Sequence, residues 1–467
     1  MIENLLHENC GIFAIYGAKK ASELTYLGLY ALQHRGQEAS GIVSSDGTRL
    51  YQRKGMGQVN EVFASKEVLS NLKGEIAIGH NRYSTTGSST IANIQPLQIT
   101  YKGDKLLAVG HNGNLTNSTS LRKKLEKEGS IFQTTTDSEI ILHLIARSRK
   151  EKIEESLADA LSQVRGAYSL VFITADSILA ARDPYGWRPL ALGKLRDAWV
   201  VASETCAFDM IGAKYLRDVQ PGEILLINEK GLKSITPFKK VKHAFCIFEF
   251  IYFARPDSMI FGENVDKVRR RLGHQLAKEQ PANADIAIAV PDSSNTHTLG
   301  YSEQSGIKFE VGLIRNHYIG RTFIQPEQKI RDLDARIKYN PVKGVLKDKR
   351  IVIVDDSIVR GTTSRKLVWM LRNAGAKEVH FRVSSPPITS PCYYGIDMPT
   401  KKELIASTKS VEQIRRYLGV DTLGYLSIEG MLSMPSLPKD DFCVACFSGR
   451  YPTKIENNIG KFALELK

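Results

Sequence analysis

The sequence predicts two layered units in tandem, an α+β domain followed by an α/β domain built on a parallel sheet. Three observations lead there. A chain of 467 residues is longer than one core usually organises, so two domains, or three, are expected. Up to about residue 240, short β-like runs dominate, among them 75–78, 106–109, 168–173 and 223–227, interrupted by a few amphipathic helices such as 138–150. Runs of strands beside runs of helices point to α+β layers. From about residue 260 the rhythm changes: a helix over 265–279 precedes a strand over 285–290, and a strand over 350–354 precedes a helix over 364–374. Uniformly apolar strands alternating with helices imply a parallel sheet covered on both faces. The segment 237–256 lies at the join, and the chain from 386 onward reads as a C-terminal extension.

Composition narrows the function classes. Hydrophobic residues make up 42% and charged residues 24%, as in ordinary globular proteins, and no stretch is long and apolar enough to span a bilayer. Residues 1–9 hold two acidic side chains and only a short apolar pair, Leu5-Leu6. They match neither a secretory signal nor a transit peptide, so no membrane association and a cytoplasmic location are expected. The net charge of +14 suggests an anionic partner, either nucleic acid or a phosphorylated metabolite. The charges are spread along the chain, and clusters such as Arg269-Arg270-Arg271 read as solvated faces. No zinc-finger or RNA-recognition pattern is present, so no nucleic-acid partner is expected.

The first chemical signal is Cys10, which opens the apolar run Cys10 to Ile15. A cysteine entering a strand is ordinarily a small buried hydrophobe. If residues 1–9 were removed, Cys10 would also carry a free α-amino group of pKa about 7.7–8.0, suited to take the thiol proton. Three segments bear on this. Gly110-His111-Asn112-Gly113-Asn114-Leu115 contains the strongest two-residue hairpin signal. A tight turn there would aim the Asn112 amide and the Gly113 N–H at one point, as an oxyanion requires. Gly79-His80-Asn81-Arg82-Tyr83-Ser84 offers Arg82, a surface charge or a two-pronged holder of a carboxylate. In Thr134-Thr135-Thr136-Asp137-Ser138-Glu139, Thr136 and Glu139 have capping-box spacing, so Asp137 either complements the helix dipole or receives an ammonium group.

The second signal is the short β-branched run Arg350 to Val354, ending in Asp355-Asp356 and a loop with Arg360-Gly361-Thr362-Thr363. Ligands of open α/β sheets sit beyond the carboxyl ends of the strands. Small residues at a helix start let backbone N–H groups approach a phosphate. The Gly-Lys-Thr element of a Walker loop is missing, and the acidic pair suits ribose hydroxyls or a hydrated Mg²⁺. Val290-Pro291-Asp292-Ser293-Ser294 supplies a second strand end, and 315–323 mixes aromatics with cations. Six cysteines exclude a disulfide scaffold. Cys443-x-x-Cys446 has metal-type spacing, and Cys246 and Cys392 could complete four thiolates for zinc or an iron–sulfur cluster. Cys206 reads as packing.

The segments around Cys10-Gly11-Ile12-Phe13, Arg82, Asn112 and Asp137, with Leu32 to Glu38 and Arg182-Asp183-Pro184, resemble the glutaminase half of class II amidotransferases. The run 354–363 matches the signature of type I phosphoribosyltransferases. Together, nearly end to end from Cys10, the chain resembles the glutamine phosphoribosylpyrophosphate amidotransferases. The resemblance implies a leader over 1–9, an N-terminal-nucleophile αββα glutaminase over 10–240, a phosphoribosyltransferase domain over 260–385 and a cluster-bearing extension over 386–467. It implies Cys10 as nucleophile, Asn112 and Gly113 as oxyanion hole, and Arg82 and Asp137 as glutamine-binding groups. It further implies Ser293, Asp355 and Asp356 on magnesium, and Arg360, Gly361, Thr362 and Thr363 around the 5-phosphate. Arg321 and Lys338 become charge stabilisers in a closing segment, and Cys246, Cys392, Cys443 and Cys446 hold a 4Fe–4S cluster that other members lack. The implied reaction turns glutamine and 5-phosphoribosyl 1-diphosphate into 5-phosphoribosylamine, glutamate and diphosphate, opening purine synthesis. Purine nucleotide inhibitors and a homotetramer are implied with it. Asn9 stands where relatives commonly have Glu, which bears on leader removal. An amino-sugar phosphate synthase is the alternative, and it leaves 355–363 unexplained. A nucleic-acid-binding relative without catalysis would lack the glutaminase constellation.

Overall fold

The computed structural model describes residues 10–83, 87–316, 339–398, 400–456 and 463–465. The layering follows from side-chain alternation along its first strand, Gly11–Tyr16. Ile12 and Ala14 join Val43, Ile78, Ala108, Val171 and Val201 in a core between two sheets. Phe13 and Ile15 point the other way and pack with Leu29 and Phe208 beneath the helix Ala21–Ala31. One sheet has seven antiparallel strands in the order Lys214–Asp218, Ala191–Leu195, Ala198–Ala202, Gly11–Tyr16, Ile76–Arg82, Ala39–Ser45 and Leu50–Met56. The other has six, in the order Gly231–Ile235, Ile224–Asn228, Ile178–Arg182, Gly166–Ile173, Lys105–Leu115 and Leu97–Tyr101. Helices Ser138–Arg147 and Ile153–Leu161 cover its outer face through Ile141, Leu144, Leu157 and Leu161. The result is the expected αββα sandwich.

Two local expectations fail here. Asn112-Gly113 makes no hairpin: Lys105–Leu115 runs straight through it, paired with Gly166–Ile173 from Ala108↔Ile173 to Leu115↔Gly166. Burial along this stretch leaves its backbone groups no water, so a continuous ladder prevails over the turn preference. The Thr136–Glu139 capping box is also absent. Glu139 reaches further back and accepts from the N–H groups of Gln133 and Thr134, both at 2.8 Å.

The second unit is the predicted parallel sheet, ordered Ile286–Ala289, Arg350–Asp355, Glu378–Val383 and Thr422–Tyr425. Its fourth strand comes from the stretch read as a C-terminal extension, so the sheet continues past residue 385. Ala287, Val352 and Val354 face the helix Val265–Glu279. Ile288, Ile351 and Ile353 face the helix Thr362–Asn373 through Leu367 and Leu371. Residues 463–465 return to the first unit, where Leu464 packs among its helices. The arginine cluster is not wholly a solvated face. Arg270 and Arg271 pair with Glu303 and Glu263, but Arg269 is buried and donates to the carbonyls of Phe250 and Ala254.

Helix Val265–Glu279 meets helix Asn295–Ser305 glycine to backbone. A Cβ on Gly273 would lie 1.9 Å from the His297 carbonyl oxygen, and one on Gly300 would lie 2.0 Å from that of Arg270. This contact fixes the start of the second helix, just after Ser294. Gly273→Ala is therefore expected to force the helices apart and cost about 1–3 kcal/mol. Chemical denaturation checks this, with an unchanged midpoint as the contrary result.

Candidate active site

The first site forms where strand ends converge. Gly11 pairs with Asn81, so Cys10 lies beside Arg82 at the ends of neighbouring strands. His111 and Gly113 come from the strand of the facing sheet, and Asp137 immediately precedes the helix Ser138–Arg147. These residues, with Tyr83, Gln95 and Thr136, line one small pocket. The Cys10 thiol donates to the Tyr83 carbonyl at 3.3 Å. Burial pushes that thiol up to about 11, with the Arg82 charge pulling against it.

Both charged groups expected to hold glutamine are buried in this pocket. Arg82 donates to the Ser88 carbonyl at 3.2 Å and lies 3.8 Å from Glu38. Asp137 accepts from the Leu115 N–H at 2.8 Å and from the Thr136 hydroxyl at 3.3 Å. Burial raises its carboxyl, but His111 and these donors outweigh burial and hold it below the ordinary value. Of the expected oxyanion pair, Gly113 lines the pocket and Asn112 does not. The Asn112 side chain is fully buried, and neither its nitrogen nor its oxygen has a hydrogen-bond partner among the described residues. A Cβ on Gly113 would lie 2.1 Å from the Ala167 carbonyl oxygen, so the neighbouring strand admits only glycine here.

At the second site Asp355 ends its strand and Asp356 follows, both buried. Burial, then the neighbouring Asp356 charge, raises Asp355 well above the carboxylate range, and burial raises Asp356 as well. Ser293 hydrogen-bonds Asp356, as does the Ser357 hydroxyl at 2.7 Å. Sequence reasoning missed Ser294, whose hydroxyl lies 3.4 Å from a carboxylate oxygen of each aspartate. Gly361 adopts φ 76° and caps the helix Thr362–Asn373, with Thr362 and Thr363 in the first turn. Arg360 is held by Glu403 at 2.6 Å. Arg321 and Lys338 lie outside the described residues.

The four cysteines singled out for a cluster come together at the join. The two-residue strands Phe245–Cys246 and Phe442–Cys443 pair in parallel, with Cys246 opposite Cys443. Cys446 follows one turn later, and its carbonyl accepts from Thr389 and Ser390, bringing in the segment that carries Cys392. The Cys392 sulfur accepts the Tyr394 N–H at 3.3 Å. Burial pushes Cys246 up to about 12 and Cys443 up to about 11, with the Ala445 N–H opposing the latter. Among the described residues no group of three or more His, Cys, Asp or Glu is set to hold a single metal ion. Cys206 lies apart, buried under the helix Ala21–Ala31.

A buried charge network, also missed, fills the space between these sites. Glu204 accepts from His34, Arg35, the Arg255 N–H and the Ser258 hydroxyl. Glu249 accepts from Arg35 and Arg188. Burial notwithstanding, His34 and Arg35 hold Glu204 below its ordinary value. The available signal was Glu249 itself, a lone charge in the apolar run Phe245 to Phe253, since a carboxylate so placed needs a partner.

The layered fold and the Cys10 pocket define a class II glutamine amidotransferase, here joined to a phosphoribosyltransferase-type sheet. A family model described as a glutamine amidotransferase domain matches residues 80–210. The chain is 51% identical over 454 residues to the amidophosphoribosyltransferase of Bacillus subtilis, covering 96% of this chain and 95% of that one. The Methanothermobacter thermautotrophicus amidophosphoribosyltransferase is 49% identical, with 98% of each chain covered. A solved B. subtilis glutamine phosphoribosylpyrophosphate amidotransferase, complexed with ADP and GMP, superposes with a TM-score of 0.92 at 49% identity, covering 97% of this chain and 99% of that one. The chain belongs to the amidophosphoribosyltransferase family, the glutamine-dependent enzymes of purine biosynthesis.

The raised thiol gives a pH signature. In protein retaining residues 1–9, alkylation of Cys10 is expected to be slow at neutral pH. It should rise about tenfold per pH unit toward its pKa of about 11, because only the thiolate is nucleophilic. Site-resolved mass spectrometry across pH reads this, and a plateau near pH 8 is the contrary result.

Proposed function

We propose that Cys10, freed of residues 1–9, is the nucleophile that releases ammonia from glutamine, and that the Asp355–Thr363 loop presents 5-phosphoribosyl 1-diphosphate to that ammonia. The observation that carries the reading is the pocket that sets Cys10 between a buried arginine and a buried aspartate. Arg82 offers a fork for the substrate α-carboxylate and Asp137 a charge for its α-ammonium group. The α-amino group of a terminal Cys10 takes the thiol proton, and the sulfur attacks the side-chain carbonyl carbon of glutamine. The Gly113 N–H and the Asn112 amide, which has no partner among the described residues, hold the resulting oxyanion. Ammonia leaves with a proton, and water cleaves the thioester to give glutamate. The ammonia nitrogen then bonds C1 of the ribose while the C1–diphosphate bond breaks, giving 5-phosphoribosylamine.

Around the second substrate, Gly361, Thr362 and Thr363 bring backbone N–H groups to the 5-phosphate at a helix start. Asp355 and Asp356 take the ribose hydroxyls. Two hard carboxylates with Ser293 at hand fit magnesium, which takes few protein ligands and keeps its water. A magnesium ion held by these residues would supply positive charge to offset that of the departing diphosphate. Arg360, with Arg321 and Lys338, adds positive charge around the phosphates.

The four cysteines fit a 4Fe–4S cluster. They are four thiols on three segments, with N–H donors aimed at sulfur. The cluster would staple the tail to the interdomain segment. The same reading includes a homotetramer in the cytoplasm, inhibited by purine nucleotides. ADP and GMP are the nucleotides seen on the B. subtilis relative.

Cys10→Ser is expected to cut glutamine-dependent synthesis by at least about 10³-fold while sparing synthesis from added ammonium; losing both refutes the division of labour. Asp355→Asn should lower synthesis from either nitrogen donor by roughly 10²-fold. Anaerobically purified protein should be brown with about four sulfur-ligated irons per chain, and stoichiometric zinc overturns that assignment.

A further inference from the structure

Glu249 takes part in neither site as described, yet it lies between the Cys10 pocket and the four cysteines. It opens the π-helical turn Glu249–Phe253 and is fully buried. Arg35 reaches it with both guanidinium arms at 3.0 and 2.8 Å, and Arg188 reaches it at 3.2 Å. Each arginine then goes on in its own direction. Arg35 donates through Nε to the Cys10 carbonyl at 3.3 Å. Arg188 donates twice to the Tyr394 carbonyl, at 3.1 and 2.7 Å, and the Tyr394 N–H donates to the Cys392 sulfur. A path of hydrogen bonds, passing through the Tyr394 backbone and buried except at its Cys392 end, thus runs from the Cys392 sulfur to the backbone of Cys10.

We propose that Glu249 is a positioning residue for the glutaminase reaction: it locks Arg35 onto the Cys10 carbonyl and, through Arg188, makes the placement of the nucleophile depend on the segment that follows Cys392. The proposal rests on Cys10 acting as the nucleophile. Once residues 1–9 are gone, Cys10 has no preceding peptide to anchor it, and apart from the thiol's bond to the Tyr83 carbonyl its carbonyl side holds the residue in place. A bond to that carbonyl therefore carries more weight than it would inside a chain. The guanidinium is a rigid fork and transmits direction where a lysine would not. Glu204 also holds Arg35, together with His34, Arg255 and Ser258, but among the described residues it is Glu249 that bonds both Arg35 and Arg188, which makes it the branch point.

Replacement by glutamine keeps the shape of Glu249, removes its charge, and turns one oxygen into an N–H facing arginine donors. In full-length Glu249→Gln, two quantities should fall together by about ten- to a hundredfold. These are the rate at which a glutamine-like diazoketone labels Cys10, located by peptide mass, and kcat with glutamine. The KM for glutamine should stay within about twofold, since Arg82 and Asp137 are untouched. Synthesis from added ammonium should be unchanged. Arg188→Lys should show a smaller loss in the same direction, and it decides the matter if the Glu249 variant does not fold. A labelling rate equal to wild type, a change carried by KM, or equal losses with glutamine and ammonium each overturn the proposal. Wild-type protein that takes no label at Cys10 overturns the nucleophile itself, a separate and distinguishable failure.

Discussion

The structure depends on the neutralisation of full charges where the two units meet. Arg35, Arg188, Glu204 and Glu249 are each at most 1% exposed, and burying any of these charges without a partner would be costly. Such pairs add little net stability over apolar packing, but removing one partner costs about 3–5 kcal/mol because the other is left buried and unmatched. The network therefore acts as a register pin. It tolerates one relative placement of the glutaminase sheet, the interdomain turn and the segment after Cys392.

Neighbouring parts of the chain are shaped to serve that pin. Arg182 donates to the carbonyls of Gly186, Arg188 and Val219, and Asp183 accepts from the N–H groups of Tyr185 and Gly186. These two residues tie down the turn that presents Trp187 and Arg188. Trp187 stacks on Tyr185 and on Tyr394, with ring centroids 4.4 and 4.3 Å apart. At the second site the logic is similar: the glycine contacts between the helices Val265–Glu279 and Asn295–Ser305 bring Ser294 and Arg269 up to the aspartate pair.

Long periodic elements were legible in the sequence because their burial pattern and their backbone preference agree. The helix Val265–Glu279 and the strand Arg350–Asp355 are examples. Residues carried by strong local motifs were legible for the same reason, and Cys10, Arg82, Gly113 and Asp137 share one pocket. Illegible features are those decided by distant parts of the chain. Asn112-Gly113 prefers a turn locally, and only the partner strand Gly166–Ile173 overrides it. Ser294 looks like an ordinary turn residue until Asp355 and Asp356 are placed beside it. Arg269 reads as one of three solvated arginines until the carbonyls of Phe250 and Ala254 are known to face it. The strand Thr422–Tyr425 is short and mixed, and it is recognisable chiefly by the neighbour it pairs with.

That late strand bears on the order in which the protein is made. The edge of the parallel sheet is open until Thr422–Tyr425 leaves the ribosome, some forty residues after Glu378–Val383, a wait of several seconds at roughly 5–20 residues per second. Both antiparallel sheets are complete by Ile235 and can form while the rest is still being translated. The nascent chain thus passes through an interval with a finished first half and an exposed, apolar strand edge in the second, the stage at which a chaperone has something to hold.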